Sequence, residues 1–165
     1  MGVIDAPLRF EQLTATPLHI LRDDALRQIL DWRNHESVRP WMDNTTLITW
    51  SEHRSFCSRL AETNDRIYLR VDLNEEPIGV INLVEIDRST ATAELGLYRV
   101  PNVSVVNAGY HLMMMIEYLA RHIGLRCLTL HVRSGNERAL RLYERMGYLE
   151  IQRIGDTVMM KRNLE

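Results

Sequence analysis

The stretch Ser134-Gly135-Asn136-Glu137-Arg138-Ala139-Leu140-Arg141-Leu142-Tyr143-Glu144-Arg145-Met146-Gly147-Tyr148 decides the fold of this chain. It opens as a helix start, because Ser134 and Glu137 have the Ser-x-x-Glu spacing of a capping box, and it closes as a helix stop, because Gly147 accepts the left-handed conformation that ends helices. The apolar run Leu125–Val132 ahead of it is a strand, and Tyr148–Arg153 with Thr157–Lys161 behind it form a closing hairpin. Further back, Ala108–His122 is a helix whose inner stripe is Leu112, Ile116 and Leu119 and which Gly124 stops, while Met113-Met114-Met115 serve as core filler. Before that helix come the irregular loop Val100–Asn107 and three strands, Asp65–Leu73, Ile78–Ile86 and Thr90–Tyr98. Their short turns at Asn74-Glu75-Glu76-Pro77 and Asp87-Arg88-Ser89 make them an antiparallel meander.

The first third reads as a short strand, Leu8–Leu13, then a helix capped by Asp23/Asp24 that runs through Ala25, Ile29, Leu30 and Trp32 and is broken by Pro40. A second helix is capped by Thr49 or Ser51 and places Phe56, Leu60 and Ala61 on one face. The order is therefore β-α-α-β-β-β-α-β-α-β-β. A helix that joins Thr90–Tyr98 to Leu125–Val132 makes those two strands parallel neighbours. The expected class is α/β (α+β): a mixed, mostly antiparallel central sheet with one parallel, splayed strand pair, flanked by helices. A ligand enters where the parallel strands part, and the helix that starts there offers free N–H groups to an anion.

With 165 residues, the expectation is a single domain over 1–165. Its 45% hydrophobic and 25% charged content is that of an ordinary globular chain, not of a disordered or collagen-like one. A net charge of −2 leaves no basic excess for a phosphate backbone, so nucleic acid is excluded as a first reading. All but one of the 20 basic residues are arginine, Lys161 being the exception, and they are spread over the whole chain. Cys57 and Cys127 are too few for a disulfide framework or a cysteine zinc site, and His19, His111 and His122 lack metal spacing, so no metal is expected. Met1–Leu21 has no signal-peptide pattern, and Glu117 interrupts the greasiest run, Leu112–Ala120, so the reading is cytoplasmic with no membrane segment.

Asn136, Ala139, Leu142, Tyr143, Gly147 and Tyr148 together resemble the Asn-x-x-Ala-x-x-Leu-Tyr-x-x-x-Gly-Tyr/Phe pattern of the GNAT superfamily of CoA-dependent N-acetyltransferases. The family's pyrophosphate loop, Gln/Arg-x-x-Gly-x-Gly/Ala, corresponds to Ser104-Val-Val-Asn107-Ala-Gly109, where only the last glycine survives and Asn107 takes the place of the other. The resemblance implies acetyl-CoA as co-substrate. It would be held by backbone amides at Val106, Asn107, Ala108, Gly109 and Tyr110 and by Asn136 and Ala139, with modest affinity because the Gln/Arg side chain is missing.

It also implies that Tyr143, seven residues after Asn136 and on the same helix face, looks at the thioester. A tyrosine can protonate the departing thiolate without prior ionisation. Backbone N–H groups near Leu97 and Tyr98 would polarise the thioester carbonyl. For the base that frees the amine, alternation along Thr90–Tyr98 puts Glu94 on one face with Gly96 and Tyr98. Glu94, acting directly or through water, is the first candidate and Glu85 the second; a carboxylate paired with an arginine is the competing reading for both. Asn136 alone is equally a helix cap, Tyr143 alone a packed tyrosine, and His131 a strand histidine with one satisfied hydrogen bond.

On the acceptor side, Trp32-Arg33-Asn34-His35 with Arg39, Trp41 and Met42, then Ser51-Glu-His53-Arg54-x-Phe56, is similar to the GNAT branch that acetylates nucleotide-linked 4-amino sugars toward pseudaminic acid. Arg33, Arg39 and Arg54 suit a phosphate, while Trp41 and Met42 offer apolar surface to a deoxysugar methyl or a base, with His53 beside them. The Trp-Arg-Asn start equally resembles the branch that acetylates ribosomal-protein N-termini. A non-catalytic acyl-CoA-binding domain is the reading from a different class. The expected partners are a nucleotide sugar and acetyl-CoA, and a homodimer is compatible with the resemblance.

Overall fold

Short turns and one helical crossover give the chain its sheet. The structure, a computed structural model, describes residues 3–165, so the first two residues of the predicted domain, and of the N-terminal stretch read as lacking a signal, lie outside it. In chain order the elements are β1 (Leu8–Phe10), β2 (Leu13–Pro17), α1 (Asp23–Asn34), α2 (Trp50–Arg59), β3 (Ile67–Leu73), β4 (Glu76–Asp87) and β5 (Thr92–Arg99). They continue with α3 (Ala108–His122), β6 (Cys127–Arg133), α4 (Glu137–Arg145), β7 (Leu149–Ile154) and β8 (Thr157–Asn163). The strands form one sheet in the order β1-β2-β3-β4-β5-β6-β8-β7, antiparallel throughout except for β5–β6. That parallel pairing begins at Thr92↔Cys127 and ends at Glu94↔Thr129, although β5 continues to Arg99 and β6 to Arg133. The splayed pair expected from the sequence is present.

Each face of the sheet has its own core. On one side α3 lays Leu112, Met113, Met115, Ile116 and Leu119 against Ile81, Leu83, Ala93, Leu95, Leu128 and Leu130. On the other, α1 and α2 bury Leu26, Ile29, Trp32, Cys57 and Leu60 with Val80. Each fully buried aliphatic contributes about 1.5–3 kcal/mol. Gly79 sits between the layers: a Cβ there would come within 2.4 Å of the Tyr98 carbonyl oxygen and 2.8 Å of Leu112 Cδ1, so only glycine lets α3 approach the sheet at this point.

Several local expectations change. Leu8–Leu13 is two strands rather than one, joined by a tight turn at Glu11-Gln12 with Glu11 at φ 54°, and β2 continues to Pro17. Asp23 and Asp24 lie inside the first turn of α1, where they favour its dipole, and Arg22 precedes the helix without a side-chain cap. The buried positions of α2 are His53 and Cys57, with Leu60 just beyond its end; Phe56 is half-buried on Tyr68, and Ala61 is exposed. Thr49 does cap α2, in a complete capping box with Glu52. The helix breaks at His35, and Pro40 stands in a separate turn of 3-10 helix, Arg39–Trp41. Ser134 and Glu137 form no capping box, because α4 begins at Glu137 and Asn136 is its cap, accepting from the Ala139 amide at 3.3 Å.

Two polar devices lock the frame. Glu117, 6% exposed on α3, pairs with Arg121 at 3.3 Å and with Arg162 of β8, whose guanidinium also donates to the Met146 carbonyl at the end of α4. Between α1 and α2, Arg33 Nη2 donates to the Asn44 carbonyl at 2.6 Å and Arg39 Nη1 to the Thr45 carbonyl at 2.8 Å. Asn34 accepts from the Ile48 amide at 2.9 Å and returns a bond to its carbonyl at 2.8 Å. Among the described residues no helix is long and apolar enough to cross a membrane.

Candidate active site

Beyond Glu94 the β6-facing edge of β5 carries no ladder, and a cavity of about 750 Å³ opens there. The segment from Leu97 to Val103 forms one wall. Gly109 from α3 and Asn136, Ala139, Leu142 and Tyr143 from α4 form the second, and Trp41 and Met42 from the α1–α2 connection close the third. Residues predicted from four separate parts of the sequence therefore meet in one cleft: Leu97, Tyr98, Gly109, Asn136, Ala139, Tyr143, Trp41 and Met42.

Tyr143 is 7% exposed, and its hydroxyl has no hydrogen-bond partner among the described residues. Burial alone pushes its phenol up to about 12, so it keeps its proton through the neutral range. By contrast, the Tyr148 hydroxyl is sealed in the core with no partner, a packing residue.

Asn107 begins α3 in the left-handed conformation, φ 59° and ψ 32°, with no side-chain cap, so the first amides of the helix have no intrahelical partner. Of the loop residues, Val106 is 78% exposed and Tyr110 is exposed, while Ala108 is buried. At the mouth of the cleft, Arg99 is lowered from its usual value by burial and by the neighbouring Arg138. Both arginines line the cleft and neither forms an ion pair among the described residues, which suits an anion. Sequence reading missed both arginines, because nothing in the pattern separates them from the others in an arginine-rich chain. The free helix amides and this arginine pair fit the diphosphate of a CoA co-substrate, and the unpartnered Tyr143 hydroxyl fits its sulfur end.

The remaining predicted residues lie elsewhere. Glu94 is not free: its Oε1 lies 2.9 Å from Nδ1 of His131, across the strand gap. Glu85 is exposed on a β-bulge at φ 51°, away from the cavity lining. His53 is buried against Cys57, with Nε2 3.8 Å from Sγ, and burial lowers its basicity; it packs α2 and does not line the cleft. Arg33 and Arg39 hold the 44–45 backbone as described and do not line the cleft, and Arg54 pairs with Asp23 at the surface.

The buried tyrosines set the alkaline limit of the fold. Tyr98, Tyr143 and Tyr148 are all raised by burial, so above about pH 10 the unfolded chain releases protons that the folded chain retains. Stability is fully present below that pH and falls as pH rises through it, because the folded state then binds more protons. Thermal melts between neutral and strongly alkaline pH should show Tm falling, with the part of the phenolate absorbance that belongs to the buried Tyr143 and Tyr148 appearing only on unfolding. Phenolate absorbance accounting for all six tyrosines before unfolding would contradict the burial.

A sheet with one splayed parallel pair, a helix N-terminus at the fork and an unpartnered tyrosine beside it define an acyl-transfer fold. Residues 26–148 match the family described as Acetyltransferase (GNAT), and the chain belongs to that family. It is 34% identical over 125 residues to the acetyltransferase PseH of Campylobacter jejuni subsp. jejuni serotype O:23/36 (strain 81-176), covering 75% of this chain and 76% of that protein. The crystal structure of Campylobacter jejuni N-acetyltransferase PseH in complex with acetyl coenzyme A superposes with TM-score 0.77 at 26% identity, over 93% of this chain and 99% of that one. Spermidine N-acetyltransferase from Vibrio cholerae, solved with CoA and spermine, shares the fold at TM-score 0.81 and 20% identity, over 93% and 96% of the two chains. The chain is an N-acetyltransferase, and a purely binding role is set aside.

Proposed function

We propose that this protein moves the acetyl group of acetyl-CoA to the primary amine of a UDP-linked 4-amino-4,6-dideoxy sugar by direct attack on the thioester. The observation that carries the reading is the free Tyr143 hydroxyl in a cleft that also holds the start of α3 and the Trp41–Met42 wall. The amine lone pair attacks the thioester carbon, and free amides of β5 near Leu97 and Tyr98 take the developing oxyanion charge. As the C–S bond breaks, Tyr143 supplies the proton to sulfur. Trp41, 45% exposed, and Met42 give apolar surface on the acceptor side. The nucleotide-sugar acceptor is supported by the Trp32–Phe56 sequence pattern and by the likeness to PseH. Arg33 and Arg39 contribute by fixing the backbone behind that wall rather than by gripping phosphate.

Saturating acetyl-CoA should raise Tm, since at about 100 times Kd a ligand adds about 2.7 kcal/mol to stability. No shift at millimolar acetyl-CoA would overturn the co-substrate assignment. With acetyl-CoA and a panel of amines, thiol release should show kcat/KM at least about tenfold higher for the nucleotide-linked amino sugar than for the free sugar, because remote contacts supply binding energy. Preference for a peptide with a free N-terminus would replace the sugar with a protein acceptor.

A further inference from the structure

We infer that His131, held by Glu94, takes the proton from the acceptor's ammonium group, and that Glu94 acts as its positioning residue. The inference rests on the transferase reading above but not on the identity of the acceptor. Glu94 and Thr129 form the last rung of the parallel ladder, and His131 stands two residues further along β6, where the strands have begun to part. The carboxylate reaches across that fork to Nδ1 of His131 at 2.9 Å. That bond fixes the ring and leaves Nε2 without a partner among the described residues. The two side chains are 23% and 37% exposed, so both are reachable from solvent; neither lines the cleft, whose wall begins three residues further along β5 at Leu97.

Alternation puts Glu94, Gly96 and Tyr98 of β5 on the sheet face covered by α1 and α2, opposite the α3 core that holds Ala93 and Leu95. His131 shares that face, as does Arg133, which donates to the Met42 carbonyl at 3.4 Å and so ties the end of β6 to the α1–α2 connection. The charged groups around His131 are Glu94 on β5, Arg133 on its own strand and Lys161 on β8, which stands opposite Thr129 while Met159 stands opposite His131; Asp43 follows Met42 in the loop. As a stabilising device so exposed a pair contributes little.

The protons balance as follows. The ammonium gives one proton to Nε2 of His131 and becomes a neutral amine, whose attack forms the C–N bond. The C–S bond breaks as Tyr143 protonates sulfur. The second proton on nitrogen is lost to solvent, which restores the Tyr143 phenol, and His131 releases its proton to bulk water. The net products are amide, thiol and one proton.

The test is the pH profile of kcat/KM for His131→Gln, Glu94→Gln and the double variant, measured on whichever amine of the panel the wild-type protein acetylates best. His131→Gln should lose about 10²-fold at low pH and recover as pH rises and the free amine becomes available without help. Glu94→Gln should lose less, and the double variant no more than His131→Gln, because the two residues act as one unit. Added imidazole should restore His131→Ala and not Glu94→Gln. The acetyl-CoA thermal shift should stay unchanged in every variant, which separates loss of function from loss of fold.

A His131→Gln protein with wild-type kcat/KM at low pH overturns the proposal while leaving the transferase and its acceptor intact. Losses that multiply in the double variant also overturn it, making Glu94 an independent base. If the wild-type protein prefers a peptide, the sugar acceptor falls and the dyad is judged on the peptide. If it releases no thiol with any amine, the transferase reading and the dyad fall together.

Discussion

Replacing Tyr143 by Phe should lower kcat by about 10² or more while KM for both substrates moves little. The ring keeps its place between α4 and the β5 fork, since the hydroxyl makes no bond to any described protein group whose loss would disturb the packing. What disappears is the proton for the departing thiolate, which matters most as charge collects on sulfur. The acetyl-CoA thermal shift should survive the substitution. Retention of full kcat would return the hydroxyl to a packing role and leave water or the amine to protonate sulfur.

The largest stability effect should come from Glu117. Its carboxylate is buried while its two arginine partners reach solvent, and Arg162 also holds the end of α4 through the Met146 carbonyl. Glu117→Ala leaves those charges without a counter-ion beside the core and removes the link among α3, α4 and β8. Breaking such a pair costs about 3–5 kcal/mol in fully buried cases; the partial exposure of the arginines places this one near about 3 kcal/mol. For a chain of this size that is a fall in Tm of about 6–12 °C. Because α4 carries Tyr143, acetyl-CoA affinity should fall as well. Glu117→Gln, which keeps the shape and an acceptor oxygen, should recover part of the loss; a Tm within a degree or two of wild type for Glu117→Ala would show that solvent already serves the arginines.

The part of the site that rests on local rules was legible in the sequence. Helix periodicity and a glycine stop placed α3 at Ala108–His122, and the structure has the same bounds. Asn136, Tyr143 and Gly147 are ordered by their spacing along one helix, and Gly147 has φ 86° as a helix stop requires. The surroundings of residues that depend on partners far away in the chain were not legible. His53 looked available beside Arg54 and Phe56, yet its helix turns it onto Cys57. Arg33 and Arg39 looked like phosphate ligands, yet the nearest acceptors are carbonyls of their own connection. The pairing of Glu94 with His131 spans 37 positions, and only the parallel register of β5 and β6 brings the two together. The two-strand start at Leu8–Pro17 was missed because its turn, Glu11-Gln12, carries none of the usual glycine or asparagine marks.

The side-chain staples across the α1–α2 connection bear on the thermodynamics of capture. A free segment of that length would surrender about 1–2 kcal/mol of backbone freedom for each residue fixed when a ligand arrives. Here Arg33, Asn34 and Arg39 have already tied the chain at Asn44, Thr45 and Ile48, so that cost is met during folding. The wall formed by Trp41 and Met42 is thus preorganised, and a ligand that rests on it is spared that part of the ordering cost.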